Sequence, residues 1–230
     1  VYPEGQIGNH GLALEIGAVA HNLGESQYGL ASTSFRWNLS GTYQQVIPNY
    51  VSTDADGSDP QSFLVPYFEN VGQMATAIFL KGYQWPFDPR KIANHGSSLI
   101  DVVVYQETVV KGRRVFMDFR ENLNGGTLGA FRFEDLGKEA YGYLENSGSL
   151  FGTPIERLEK MNPQAIALYA DHGIDIRSEA LEIAVCAQHN NGGLAVDPWW
   201  ESTNIRRLFP VGEVAGTHGV YRPGGSDRKS

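Results

Sequence analysis

Among the residue types that could do chemistry are two arginines and a histidine, Arg90, Arg222 and His189. Arg222 offers a planar fork of N–H donors that matches a carboxyl or carbonyl group. His189 offers a ring donor suited to an oxyanion. Arg90 follows Pro89, and a guanidinium acts as an acid only when a dry site holds it rigidly. Each also has a purely structural reading. His189, before Asn190-Asn191-Gly192-Gly193, satisfies turn carbonyls; Arg222 is a salt-bridged surface residue; Arg90 is a structural arginine after a proline turn.

A second set of residues offers shape rather than charge. Leu208-Phe209-Pro210-Val211 is short, apolar and closed by Gly212, which reads as a buried strand running to a tight turn. Glu213 then sits at a strand's C-terminal end, where open α/β sheets bind ligands. Gly224 and Gly225, just before Ser226, have no Cβ and let a flat ligand approach the backbone. The other reading is a strand and turn with surface glycines.

Several chemistries are excluded. His10, His21, His95 and His172 show no metal-ligand spacing, and one cysteine makes no zinc pattern, so no metal is expected. No G-x-S-x-G elbow occurs. The 230 residues are 41% hydrophobic and 19% charged, enough for a full core. A formal net charge of −8 argues against a nucleic-acid partner. No apolar run approaches the roughly 20 residues of a membrane span. Cys186 excludes an internal disulfide and points to a reducing compartment, the cytoplasm. Next to Ile183-Ala184-Val185 it reads as a buried, inert thiol.

The elements that must position these residues are partly legible. Leu12, Ile16 and Val19 share one face of a short helix. Tyr43 to Ile47 reads as a strand ended by Pro48. Asp59-Pro60 reads as a helix start, with Phe63, Leu64, Tyr67, Phe68, Val71, Met74, Ala75 and Ile78 as its core stripe and Pro66 as a kink or delay. Residues 98–106 are a strand or a buried helix. Thr153-Pro154-Ile155-Glu156 is a capping box, Asn162-Pro163 opens another helix, and Gly173 closes it. Residues 145–153 form a Gly/Ser-rich turn region.

Ordered motifs give this set a family context. Residues from His189 through Asp197, Thr203-Asn204-Ile205, Leu208 through Glu213, His218-Gly219, and Arg222 with Gly224-Gly225-Ser226 follow one another. This series resembles the C-terminal part of the flavin domain in the fumarate reductase/succinate dehydrogenase flavoprotein family. There the pattern runs roughly H-x-x-M-G-G-I-x-x-D, T-x-I-x-G-L-[FY]-A-x-G-E and H-G-A-N-R-L-G-[GS]-N-S. Gly8 through Ala18 is similar to the family's T-G-D-G segment, with Asn9 in place of the acid. Asp88-Pro89-Arg90-Lys91-Ile92 is similar to its P-R-D-x-[VA]-S segment, and Arg114 through Arg120 to its V-Y-L-D-L-R strand.

The resemblance implies an α+β chain in which a capping domain, residues 33–187, is inserted between incomplete pieces of an α/β FAD-binding domain, residues 1–32 and 188–230. It implies FAD as cofactor of a longer protein and a small-molecule substrate. Arg90 matches the family's proton donor; His189 and Arg222 match residues that bind and polarise the substrate. Gly212, Glu213, Gly224, Gly225 and Ser226 match FAD-binding positions. No G-x-G-x-x-G occurs and Val1-Tyr2-Pro3-Glu4 is no signal peptide, so the expectation is an inactive piece from the middle to late part of an oxidoreductase. That enzyme would transfer hydride between FAD and a carbon–carbon bond activated by a carbonyl or carboxyl group. The alternative is a non-catalytic substrate-binding or interaction module. One motif departs from the family. Where Q-[FY]-H-P-T supplies a His and a Thr to a carboxylate, this chain has Gln27-Tyr28-Gly29-Leu30-Ala31. The expectation is a substrate other than a simple C4 dicarboxylate, with one larger or more apolar end admitted by space at Gly29.

Overall fold

The computed structural model describes residues 9–24, 26–190 and 192–216. Helices and strands are mixed. In chain order they begin with α1 (Asn9–Glu15), β1 (Ala20–His21), β2 (Ser26–Ser32), α2 (Thr42–Gln45) and β3 (Pro48–Thr53). Then come α3 (Val71–Lys81), α4 (Leu99–Tyr105), β4 (Arg114–Asn122) and α5 (Lys138–Asn146). The last elements are α6 (Pro154–Met161), α7 (Pro163–Asp171), β5 (Leu181–Asn190) and β6 (Gly193–Leu194). The chain divides into two compact units, Gly29–Cys186 and a smaller one made of Val1–Tyr28 with Ala187–Ser230.

The larger unit is built on a sheet of order β2-β5-β4-β3. β4 pairs antiparallel with β3 through Tyr50↔Met117 and Ser52↔Val115, and with β5 through Val115↔Ile183. Val115, Met117 and Phe119 alternate along β4 and are fully buried, which defines the face that meets the helices. α3 starts where the Asn70 side chain accepts the Gln73 N–H. Its Val71, Met74, Ala75 and Ile78 recur at helical spacing and are buried, each large one contributing about 1.5–3 kcal/mol. α6 carries the expected capping box: Glu156 Oε2 accepts the Thr153 N–H at 2.7 Å and its hydroxyl at 2.9 Å. α7 opens at Asn162-Pro163, and Gly173 lies just beyond it at φ 74°.

Several expectations are corrected. Tyr43 through Gln45 belong to α2, and Pro48 begins β3 instead of ending a strand. β3 is an edge strand, and its first position tolerates a residue without an N–H. No helix starts at Asp59-Pro60. Asp59 is left-handed at φ 51°, and Gln61 pairs with Ser52 across an isolated bridge. The expected stripe is core all the same, with Phe63, Leu64 and Phe68 buried before α3 begins. Residues 98–106 resolve to helix: α4 continues into a wide turn at Gln106–Val110.

Two buried cations stiffen the larger unit. The Arg157 guanidinium is fully buried and donates to the carbonyls of Val46, Phe151 and Gly152 and to Asn122 Oδ1. Burial pushes it down to about 10. Lys81 and Asp101 form a buried ion pair between α3 and α4, and burial raises the Asp101 carboxyl.

In the smaller unit Ala13, Ala18 and Leu194 form a small buried cluster, with Ile205, Leu208 and Val214 packed against it, and Ala195 and Ala215 are buried as well. Leu12, Ile16 and Val19, expected to share one face of a short helix, are exposed, and α1 ends at Glu15 before the last two. Residues 208–211 form no strand. Pro210 removes a ladder donor, and Phe209 and Val211 point to solvent. Cys186 is half-buried, not sealed.

Candidate functional site

Arg90 lies in the larger unit, in the single turn Pro89–Lys91. Asp88 precedes that turn and caps it: Oδ1 accepts the Arg90 backbone N–H at 3.0 Å. The same carboxylate takes the guanidinium as a fork, Nε at 3.0 Å and Nη2 at 2.8 Å. Asp88 is 3% exposed while the Arg90 side chain is 55% exposed. A buried anion thus aims a half-exposed cation. The Arg90 hydrogen bond holds the Asp88 carboxyl below the usual carboxylate range. The arginine is ordered by a proline turn and its cap, with its side chain half-exposed.

The space expected at Gly29 is filled. A Cβ there would fall 2.5 Å from Trp85 Cε2. The indole lies against the β2 backbone, and its Nε1–H donates to the Leu30 carbonyl at 3.2 Å. Ala31 is fully buried. Neither Gly29 nor Ala31 has a side-chain hydrogen-bonding group. The nearby polar candidates are engaged locally, Thr33 with the Glu182 carbonyl and Arg36 with Asn38.

In the smaller unit Gly212 has φ 70° and opens a single turn, Gly212–Val214. That turn packs beside the Gly-Gly segment that follows His189. Leu194 and Ala215 form a bridge, and the Gly216 N–H donates to the Leu194 carbonyl at 3.0 Å. Asn204 ties the motif back to the chain's first segment. Its Nδ2 donates to Gly17 O at 2.8 Å and its Oδ1 accepts the Val19 N–H at 3.0 Å. His21 closes the same turn by donating from Nε2 to the Gly216 carbonyl. His189 lies in β5 and Glu213 in the turn. Arg222, Gly224, Gly225 and Ser226 lie outside the described residues.

Asp88, Trp85 and Asn204 are the participants that sequence reasoning missed. Asp88 and Asn204 lie inside motifs that resemble the family's, so a local signal existed. Nothing in the sequence links Trp85 to Gly29. Among the described residues no cluster of His, Cys, Asp or Glu fits a metal ion, and no helix is long and apolar enough to cross a membrane. A cleft of about 580 Å³ beside the start of α3, lined by Asn70, Gly72, Leu128, Arg132 and Asp135, contains none of the expected site residues.

No protein-family model matches the chain. Over 74 residues, 32% of this chain, it is 42% identical to a subunit of the fumarate reductase (CoM/CoB) of Methanothermobacter marburgensis, covering 13% of that protein. It is 40% identical over 74 residues to an uncharacterized FAD-dependent oxidoreductase of Methanocaldococcus jannaschii, covering 14% of it. Two solved structures overlay loosely. One is a quinol-fumarate reductase with menaquinol molecules, at TM-score 0.48 and 17% identity over 90% of this chain and 30% of that one. The other is an E. coli quinol fumarate reductase, at TM-score 0.48 and 18% identity over 93% of this chain and 30% of that one. The chain thus spans 13% and 14% of the length of these two curated relatives, and its similarity is to part of a fumarate reductase subunit and part of an FAD-dependent oxidoreductase.

Proposed function

We propose that this chain supplies the capping domain and two flanking pieces of the FAD-binding domain of a flavin-dependent oxidoreductase. The reaction is hydride transfer between FAD and a carbon–carbon bond activated by a carbonyl or carboxyl group. The observation that carries this reading is the 42% identity to part of a fumarate reductase. Bound FAD supplies the hydride acceptor or donor. Gly212, Glu213, Gly224, Gly225 and Ser226 would hold it. Gly212 fits that role: nothing lies within 4 Å of the position its Cβ would take, and exposed Phe209 and Val211 flank it with apolar surface.

His189 and Arg222 would bind the activating carbonyl or carboxyl. Arg90 would deliver the proton that balances hydride addition. Its pairing with buried Asp88 keeps the guanidinium charged and oriented. At β2 the chain offers an indole over Gly29 and a methyl at Ala31 in place of two donors. A second carboxylate finds no donor from those two side chains. Loss of two hydrogen bonds to a charged group, about 1.5–3 kcal/mol each, weakens recognition by about 10²- to 10⁴-fold. The preferred substrate therefore has one polar end and one apolar end.

Steady-state assay of the FAD-loaded full-length protein tests this. Activated monocarboxylate or enone substrates should turn over, fumarate and succinate poorly, and Arg90→Ala should abolish turnover with all of them. Efficient reduction of fumarate would sink the substrate reading. Activity that survives Arg90→Ala would remove the proton-donor role.

A further inference from the structure

We propose that Trp85 is a positioning residue for Arg90. Its indole, seated on Gly29, fixes the loop 84–98 that presents the guanidinium. The inference rests on the reading of Arg90 as proton donor given above.

The loop is pinned at both ends. At its start the Trp85 ring occupies the place of a side chain on β2: a Cβ at Gly29 would stand 2.5 Å from Cε2 and 2.8 Å from Nε1. Only glycine leaves that place open. The Nε1–H bond to Leu30 orients the ring on the strand. At its far end the Ser97 hydroxyl donates to Gln84 Oε1 at 2.7 Å, the Asp88 N–H donates to Ser98 Oγ at 3.0 Å, and the Ser98 N–H donates to Lys91 O at 3.1 Å. These bonds close the loop on itself. They hold Asp88, which holds Arg90. The indole ties the closed loop to the sheet. Removing it loosens the loop, so that the Asp88–Arg90 fork opens more often and shifts from its place. A shift of about 1 Å at a reacting group costs on the order of 10²-fold in rate.

A tryptophan that merely fills space would affect stability and leave Arg90 unchanged, so the test reads Arg90 directly. In the 230-residue chain, the Arg90 Nε–H resonance reports its protection by Asp88. Trp85→Leu should move that resonance and speed its exchange about tenfold in protein that remains folded. Trp85→Phe, which keeps a ring on Gly29 but loses the bond to Leu30, should give a smaller change in the same direction. A folded Trp85→Leu chain with an unmoved, equally protected resonance overturns the proposal. If Trp85→Leu does not fold, the Phe variant decides alone, and an unchanged resonance there also overturns it. In the FAD-loaded full-length protein, Trp85→Leu should lower kcat about 10²-fold with little change in KM. A wild-type protein with no oxidoreductase activity would sink the functional reading while the resonance still decides whether Trp85 orders Arg90.

Discussion

In the larger unit Ile78, Phe79, Met117 and Phe119 are sealed from solvent, whereas in the smaller unit Leu12, Ile16 and Trp199 stand 68%, 64% and 83% exposed. The residue types are comparable and the use is not. The larger unit closes its own core around one face of a sheet, and side chains cap the starts of α3, α6 and α7. The smaller unit buries mainly small residues, four alanines and Leu194, and leaves Leu12, Ile16, Val19, Trp199, Phe209 and Val211 uncovered by the described residues. Large apolar side chains left in water mark places where something else can pack. In the reading proposed above, that something is FAD and the remainder of its domain. The contrast separates residues that make the fold from residues that the fold presents.

The most direct way to break this contrast is to truncate one side chain from each unit. Ile78→Ala in α3 should destabilise the larger unit by about 2–5 kcal/mol, because the cavity lies in a closed core. Ile16→Ala should cost within about 0.5 kcal/mol in the isolated chain, because its side chain is already in water. Chemical denaturation of both variants checks this. Equal losses would mean that the smaller unit has a sealed core of its own. A smaller effect is expected beside the site. Gly29→Ala drives a Cβ into the Trp85 ring, at about 1–3 kcal/mol. Trp85→Leu in the same chain should relieve much of that cost. If the two losses simply add, the ring and the glycine are not mutually fitted.

What the sequence made legible follows the same division. Thr153-Pro154-Ile155-Glu156 and Asn162-Pro163 state their structure locally, because a cap is a contact between residues three apart. The core stripe from Phe63 to Ile78 was legible as burial and illegible as structure, because apolar spacing does not say where a helix begins. Asn70 decides that by capping Gln73. Pro48 misled because a proline that ends a strand and one that opens an edge strand look alike until the sheet order is known. Leu208-Phe209-Pro210-Val211 looked buried, and its exposure depends on what else covers it. The proline turn before Arg90 was legible, and the proposed role of that arginine comes from the resemblance of residues 88–92 to a family segment. Trp85 was not, because no sequence pattern predicts a ring against a distant backbone; only the fold brings residue 85 to residue 29.

The smallest expected effect lies at the edge of the larger unit, where its packing ends and the presented cation begins. The Arg90 hydrogen bond holds the folded Asp88 carboxyl below its unfolded value of about 3.9. A depressed carboxyl contributes stability that is fully present above the unfolded value and is lost as pH falls through the folded one. Asp88→Asn removes that contribution and keeps a side-chain oxygen to cap the turn. The variant should therefore be less stable than wild type near neutral pH, and the gap should close as pH falls below about 4. Urea unfolding of both proteins across that window measures the gap. A gap that stays constant down to the acid limit would show that Asp88 acts through its cap alone. In that case the fork that aims Arg90 would contribute nothing to the folded state, and the pairing would have to be explained by what it does for the presented arginine.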